Sequence, residues 1–387
     1  MKRFISIIAA AAIMLLATPV YAENEAENTV KLDTDAKSCI LMEESSGQIL
    51  YEENADEQLP IASVTKIMTM LLIMEQIESG ALSYDTMIPV SENAMSYGGS
   101  TMFLEAGEQL SVNDMLKGIA VASANDGCVA MAEYIAGSET AFVDMMNKKA
   151  QELGMTNTHF MNTNGLDEEN HYSSARDVAI MSKALIAHKD IFNYTSIWTD
   201  ELRGGKFQLA NTNKLIRFYT GANGLKTGST SQALCCLSAT AVRDNMQLIA
   251  VVLGSPTSAK RFSSAKALLD YGFANYGVKV LTQEGEEIID AAVEKGNAET
   301  VKGISGTSLS ELRKKSDTGD CERIIELDEN IKAPVYKGDR IGTMRFVRGD
   351  TEVGSVDIIS ADTVERMGIG GIMEEFLRMI FARGSEV

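Results

Sequence analysis

The sequence is poor in cysteine and histidine, and neither residue is spaced for a metal site. The chain of 387 residues contains 5 cysteines and 3 histidines. The cysteine count is odd and no Cys-x-x-Cys occurs, which argues against a disulfide framework and the common zinc motifs. No His-Glu-x-x-His is present, and no two histidines stand one helical turn apart. We therefore expect no metal and no cofactor, and structural roles for His159, His171 and His188.

Positive charge is also scarce in this chain. Lys and Arg number 35 against 54 Asp and Glu, which gives a formal net charge of −19 at pH 7. A surface this acidic repels a phosphate backbone, so we expect no nucleic acid among the partners.

The sequence has one pronounced apolar run near its beginning, at residues 4–16. Two cations precede this run, and Val20 and Ala22 supply the small residues that a signal peptidase needs. The run is shorter than the roughly 20 residues that cross a bilayer, so an uncleaved anchor is the weaker alternative. The pattern predicts a signal peptide over residues 1–22 and export to the extracytoplasmic cell envelope.

The central part of the chain predicts an α+β domain. A hairpin is indicated at residues 37–51, and two buried strands at residues 233–242 and 246–253. Helical periodicity appears in four segments, at residues 63–79, 111–136, 139–153 and 258–273. Strands at both ends of a helical middle predict an antiparallel sheet covered by helices, over residues 30–275.

Beyond Gly277 the sequence changes to short β-like runs separated by glycines and charged turns. These runs occur at residues 278–281, 323–327, 343–347 and 352–359. They predict a small β-rich C-terminal domain over residues 276–360. Residues 361–387 place apolar side chains near one face of a helix, which predicts an amphipathic tail. This tail is either a membrane anchor at the lipid surface or a helix docked on its own domain.

A first motif carries side chains suited to acyl transfer. Ser63-Val64-Thr65-Lys66 places a hydroxyl and an amine on one face at the predicted start of a helix. A serine needs a base to take its proton, and a lysine is that base only when its pKa is lowered by burial and nearby positive charge. The free backbone N–H groups of a helix start can also stabilise an oxyanion.

Two further motifs, Ser123-Ala124-Asn125 and Lys226-Thr227-Gly228, follow in the chain. Ser123 can relay a proton toward a leaving amine, and Asn125 can hold the lysine base or a substrate amide. Lys226 would lower the pKa of that base and attract a substrate carboxylate, which Thr227 would bind. Gly228 would let the substrate lie along a strand edge. The three motifs in this order are shared by penicillin-binding proteins and serine β-lactamases.

Longer segments resemble the low-molecular-mass D-alanyl-D-alanine carboxypeptidases, a family of penicillin-binding serine peptidases. The similar segments are residues 60–66, 98–102, 157–160, 164–166, 171–175 and 224–228. The resemblance runs from residue 36 to residue 273, and it continues more weakly into that family's β-rich second domain at residues 331–335. The family's amphipathic C-terminal anchor is similar to the tail.

The resemblance implies a role for each site residue. Ser63 is acylated, Lys66 is the general base, and Ser123 and Asn125 complete the catalytic group. The backbone of Ser63 and Ser229 forms the oxyanion hole. Arg261 aligns best with the family's second carboxylate-binding cation.

These roles imply a β-lactamase/transpeptidase-like fold and a serine-type D-Ala-D-Ala carboxypeptidase. Its substrates would be peptidoglycan stem peptides, and β-lactam antibiotics would be covalent inhibitors. Two alternatives stay open. A serine β-lactamase needs a further carboxylate to activate water, but no Glu-x-x-Leu-Asn lies between Ser123 and Lys226. A non-catalytic sensor or wall-binding protein would not need a lysine poised beside a serine.

Overall fold

The structure is a computed structural model that describes residues 31–371 and Met373. The predicted signal peptide and nearly all of the apolar face of the predicted tail lie outside the described residues. Within the described part of the chain, no helix is long and apolar enough to cross a membrane.

A five-stranded antiparallel sheet forms the frame of the first domain. Its strands are β1 (Ser38–Glu43), β2 (Ile49–Glu53), β7 (Ala222–Thr230), β8 (Leu234–Arg243) and β9 (Met246–Ser255). Their order across the sheet is β2-β1-β9-β8-β7, so β7 is an edge strand. Short two-stranded pairs lie outside this sheet: β3 (Met87–Pro89) with β4 (Gln109–Ser111), and β5 (Thr199–Leu202) with β6 (Phe207–Ala210). The predicted hairpin and both predicted late strands are confirmed.

The helices of the first domain are α1 (Lys66–Glu78), α2 (Glu92–Met95), α3 (Val112–Lys117), α4 (Asn125–Ala136), α5 (Glu139–Glu152), α6 (Ala175–Ala187), α7 (Phe192–Thr195), α8 (Leu215–Phe218) and α9 (Ser258–Asn275). Of these, α6 and α9 make the broadest contact with the sheet. The first nine residues of α1 are buried, and most of them are apolar, so this helix has an apolar surface on nearly all sides. Helix α9 packs closely on the sheet at Gly272, where an added Cβ would lie 2.6 Å from Leu248 and 3.0 Å from Leu41.

The prediction of one continuous helix over residues 111–136 is wrong. Ser111 caps α3 as expected, because its side chain accepts the N–H of Asp114. A π-helical turn, Gly118–Ala122, follows, and Ser123 then adopts a left-handed conformation with φ 64° before α4 begins. The side chain of Asp126 accepts N–H groups of the preceding loop, which fixes where α4 starts. Apolar periodicity does not report such polar contacts between distant segments.

The C-terminal part is β-rich, as predicted. Strands β11 (Glu287–Ala292), β12 (Thr300–Ser305), β14 (Glu322–Leu327), β15 (Arg340–Arg348) and β16 (Thr351–Ser360) form one sheet in the order β11-β12-β16-β15-β14. Strands β10 (Tyr276–Thr282) and β13 (Leu309–Lys314) form a separate pair. Strands β11, β12 and β13 were not predicted from the sequence, because charged residues interrupt their apolar positions and few of their side chains are fully buried.

Candidate active site

The candidate nucleophile lies on a tight turn at the N-terminus of α1. Residues Ala62–Thr65 form a 3-10 turn, so the helix proper begins at Lys66, slightly later than the predicted start at Ser63. Ala62 is 2% exposed and has φ 49°, a conformation that costs energy for a residue with a side chain. The turn is therefore held in place by its surroundings.

The edge strand β7 presses against this turn through Gly228. An added Cβ at Gly228 would lie 2.7 Å from the carbonyl oxygen of Ile61 and 2.9 Å from the backbone nitrogen of Ser63. Only glycine allows the strand to approach that closely. We predicted Gly228 as a glycine that makes room for substrate, whereas in the structure its missing side chain makes room for the nucleophile's own turn.

Lys66 is fully buried and makes three hydrogen bonds. Its Nζ lies 3.0 Å from Ser63 Oγ, 2.7 Å from Asn125 Oδ1 and 2.6 Å from the carbonyl oxygen of Asn164. The orientation of the Asn125 amide follows from its other contact, because its Nδ2 donates to the carbonyl of Gly98 at 2.8 Å. Oδ1 must therefore face the amine.

The partners of the amine determine where its lone pair points in the neutral form. Burial lowers the pKa of Lys66 to about 8, because the charged form is poorly solvated in the interior. A neutral amine has two N–H donors and one lone pair. The oxygens of Asn125 and Asn164 can only accept, so they take both N–H groups. The lone pair is then left for the hydroxyl proton of Ser63, which is the arrangement of a general base.

Ser123 lies immediately before Ala124 and Asn125, on the left-handed residue that separates the π-helical turn from α4. Its side chain is buried. The backbone conformation brings the second motif to the same side of α1 as the first, since Asn125 reaches Lys66. The structure thus brings the first two motifs together, as expected from the sequence.

Lys226 is buried in β7, and its Nζ donates to the carbonyl of Thr227 at 3.1 Å. Its pKa lies well below the usual lysine value, because of burial first and repulsion from Lys66 second. We expected the charge of Lys226 to lower the pKa of Lys66. Burial is the first cause of the lowered pKa at both lysines, and because repulsion between two like charges is mutual, the expected effect of Lys226 on Lys66 stays a prediction.

The remaining predicted residues lie along β7 and behind it. The hydroxyls of Thr227 and Thr212 are 2.6 Å apart, and Ser229 is exposed beside Cys235. Arg261 is 6% exposed and donates to the carbonyls of Gly228 and Cys236. Its guanidinium therefore braces the β7–β8 pair, and carboxylate binding by Arg261 remains a prediction.

One direct partner of the base, the backbone carbonyl of Asn164, was not predicted. The segment Asn164-Gly165-Leu166 carries part of the family resemblance, but a sequence does not show where a backbone carbonyl points. Gly165 gives the physical reason for its position. Gly165 has φ 84°, and an added Cβ there would lie 1.9 Å from the carbonyl oxygen of Ala62. Only glycine therefore lets this segment approach the turn so closely.

No group of three or more His, Cys, Asp or Glu side chains that could hold a metal occurs among residues 31–371. That the enzyme works without a metal or cofactor stays a prediction.

The fold and the pairing of Ser63 with Lys66 define a serine hydrolase of the penicillin-binding class. The chain belongs to the D-alanyl-D-alanine carboxypeptidase family, which matches residues 23–257. The C-terminal domain of penicillin-binding protein 5 matches residues 276–366. The predicted α+β domain and β-rich domain, and the family resemblance, are thereby confirmed.

Curated relatives extend this similarity over almost the whole chain. The chain is 41% identical to D-alanyl-D-alanine carboxypeptidase DacF of Bacillus subtilis over 373 residues, which cover 95% of this chain and 96% of the relative. It is 34% identical to DacC of Escherichia coli, with 92% and 91% of the two chains covered.

Two solved structures show the same similarity. Penicillin binding protein 5 from Haemophilus influenzae is 33% identical with a TM-score of 0.70, over 87% of this chain and 99% of that one. Penicillin-binding protein D2 from Listeria monocytogenes, in its ampicillin-bound form, is 31% identical with a TM-score of 0.58. That match covers 63% of this chain and 99% of the other.

The close approach of β7 to the nucleophile leads to a test with two matched glycines. We expect Gly228→Ala to displace the turn that carries Ser63 and to slow penicillin acylation by about 100-fold, the scale of a small misplacement at a reacting centre. Gly277→Ala is the control, because this glycine also lies in a strand and an added Cβ there meets only the Lys315 side chain, at an ordinary contact distance of 3.7 Å. Stopped-flow acylation with a fluorescent penicillin measures both variants, and equal rates for the two would contradict this account.

Proposed function

We propose that this chain is a serine-type D-Ala-D-Ala carboxypeptidase that removes the terminal D-alanine from peptidoglycan stem pentapeptides. The observation that carries the proposal is the position of the buried Lys66 amine. Its Nζ donates to the oxygens of Asn125 and Asn164 and lies 3.0 Å from Ser63 Oγ. Family membership supplies the substrate class. The roles of individual residues are part of the proposal.

In the acylation step, Lys66 removes the proton of Ser63, and Ser63 Oγ attacks the carbonyl carbon of the penultimate D-alanine. The backbone N–H groups of Ser63 and Ser229 stabilise the negative charge on the tetrahedral oxygen. The proton passes from Lys66 through Ser123 to the leaving nitrogen, and the C–N bond breaks. D-Alanine leaves, and the shortened peptide remains as an ester of Ser63.

In the second step, water replaces the leaving amine. Lys66 takes a proton from the water, whose oxygen attacks the ester carbonyl, and Lys66 returns that proton to Ser63 Oγ when the C–O bond breaks. The products are the shortened peptide acid and free enzyme, so atoms and charges balance. The same lysine serves both steps as base and as acid, through Ser123 in the first step.

The position of β7 at the edge of the sheet supports a binding mode for the peptide. An extended peptide can add to this edge as a further strand, which orients its last amide bond toward Ser63. Thr227 and Lys226 would then meet the terminal carboxylate, with Arg261 as the further cation. An approaching carboxylate favours the charged form of Lys226, which offsets the effect of burial on its pKa.

β-Lactams are proposed as covalent inhibitors because they present a strained amide to the same nucleophile. A β-lactamase would also need a carboxylate placed to activate water against the ester. In this chain Glu168 and Glu169 are exposed and lie apart from the hydrogen bonds of Lys66. The β-lactamase alternative and the sensor alternative are not favoured.

Four further parts of the proposal concern the whole chain. We propose export through cleavage after Ala22, a catalytic domain over residues 30–275 and a β-rich domain over residues 276–360. The tail, residues 361–387, is proposed as a peripheral anchor on the outer face of the cytoplasmic membrane. Co-sedimentation with liposomes tests the anchor, since a chain ending at Ser360 should lose binding that the full chain shows.

The central prediction is release of D-alanine from a short peptide that ends in Lys-D-Ala-D-Ala. The parent chain should release it, Ser63→Ala should not, and Lys66→Ala should acylate about 100-fold more slowly, the scale of lost acid–base catalysis. Coupled detection of free D-alanine measures all three. Near-parent turnover by either variant would refute the roles given to these two residues.

The lifetime of the penicillin adduct separates the carboxypeptidase from the β-lactamase alternative. We expect intact mass measurements to show one penicillin per chain, attached at Ser63, and to show it persisting for hours after excess drug is removed. The physical reason is that, in the part of the chain that the structure describes, no carboxylate is placed to activate water against the ester. Glu168 and Glu169, which come nearest to the acidic segment of a β-lactamase, make no hydrogen bond with Lys66. Loss of the adduct within seconds would favour the β-lactamase.

A further inference from the structure

The segment that supplies the Asn164 carbonyl, residues 161–171, is here named the base loop. Three residues of the turn and first part of α1 hold it. Thr69 Oγ1 donates to the carbonyl of Thr163 at 2.6 Å, and Lys66 Nζ donates to that of Asn164 at 2.6 Å. Thr65 Oγ1 lies 2.8 Å from His171 Nε2, at the end of the loop. The loop thus docks along one side of α1, with the base at the centre of the contact.

His171 contacts both the start of the base loop and the residue before the base. Its Nδ1 accepts the backbone N–H of Met161 at 3.1 Å, while its Nε2 faces Thr65. The ring is 6% exposed and packs edge to face against Phe160, with the ring centroids 5.8 Å apart. One imidazole therefore joins the two ends of the loop and fastens them to α1.

The hydrogen-bond partners also determine the form of this ring. A backbone N–H can only donate, so Nδ1 carries no proton and Nε2 carries the one that is donated to Thr65 Oγ1. A charged ring would place two donors against each other at Met161. Burial lowers the pKa of His171 to about 4, with smaller effects from His159, Asp167 and Lys66, so the neutral form is the one present at neutral pH.

We propose that His171 is a positioning residue for the general base: by tying the base loop to Thr65, it keeps the Asn164 carbonyl against Lys66 Nζ. The proposal rests on the proposed function, in which Lys66 is the base. It goes beyond a structural role, because the carbonyl decides where the lone pair of the amine points. When the loop loosens, water reaches Lys66, the amine regains hydration, and its pKa rises toward the usual lysine value.

Two substitutions of His171 test the hydrogen bonds of its two ring nitrogens separately. His171→Asn keeps an acceptor near the position of Nδ1 for Met161 but cannot reach Thr65. His171→Gln carries an amide N–H that can reach Thr65. Thr65→Val removes the hydroxyl from the other side at nearly constant volume. His188→Asn is the control, because His188 pairs with Glu78 on the surface, away from the base loop.

The experiment measures the rate of acylation by a fluorescent penicillin across neutral and alkaline pH, with thermal unfolding as a check on folding. We expect His171→Asn and Thr65→Val each to slow acylation by about 10-fold, and to shift the acid limb of the profile to higher pH. The double variant should be no slower than either single variant, because both remove the same contact. His171→Gln should recover most of the rate, and His188→Asn should match the parent.

Each other outcome overturns the inference in a distinguishable way. A parent-like rate and profile for His171→Asn would show that the base does not depend on this ring, while the proposed function stands. A slower rate with an unmoved acid limb, additive with Thr65→Val, would reduce His171 to a structural residue. If His171→Asn does not fold, an unchanged rate and pH profile for Thr65→Val would show that the base does not depend on this contact. If the parent itself is not acylated, the proposed function fails and this inference fails with it.

Discussion

The burial of the Lys66 amine is the constraint on which the rest of the site depends. A charged amine in the interior loses its hydration, so the amine either finds partners or gives up its proton. Here it does both. Three oxygens surround it, and its pKa falls to about 8. The oxygens of Asn125 and Asn164 can only accept, whereas the hydroxyl of Ser63 can also donate. In the neutral amine the lone pair therefore points at Ser63.

Meeting this constraint requires segments from far apart in the chain to approach one helix. Asn125 comes from the start of α4, the Asn164 carbonyl from the base loop, and Gly228 from the edge strand β7. Positive φ angles at Ala62, Ser123 and Gly165 accompany these approaches. Such a conformation costs energy at Ala62 and Ser123, which carry side chains, so it persists there because tertiary contacts hold it.

The sequence was sufficient to predict the parts of the molecule that repeat a local pattern. The hairpin at the start, the apolar helix α1 and the late strands follow from periodicity, and the three motifs indicated acyl transfer. The break at Ser123 escaped prediction because an apolar pattern continues across it, while polar contacts of Asp126 with a distant loop set the new helix start. The Asn164 carbonyl escaped because a backbone group has no signature in the sequence.

Electrostatics was the other aspect that residue types alone left open. Two lysines near one serine suggested that the second lysine lowers the pKa of the first. In the structure both are buried, and burial is the larger effect at each. Which of the two effects on the pKa is larger depends on how deeply each lysine is buried, and a sequence motif does not give that. The same holds for Arg261, which aligns with a carboxylate-binding cation, yet donates to carbonyls of the β7–β8 pair.

The most direct test of this mechanism is the titration of the Lys66 amine itself. Nitrogen-15 NMR of a chain labelled at lysine Nζ, with the signal assigned by its loss in Lys66→Arg, measures the protonation of the amine without any substrate. We predict a midpoint at pH about 8, far below the value of 10.5 for an ordinary lysine, because the amine is fully buried. A midpoint at the ordinary value would contradict the mechanism, since almost none of the amine would then be neutral at neutral pH and able to take the proton of Ser63.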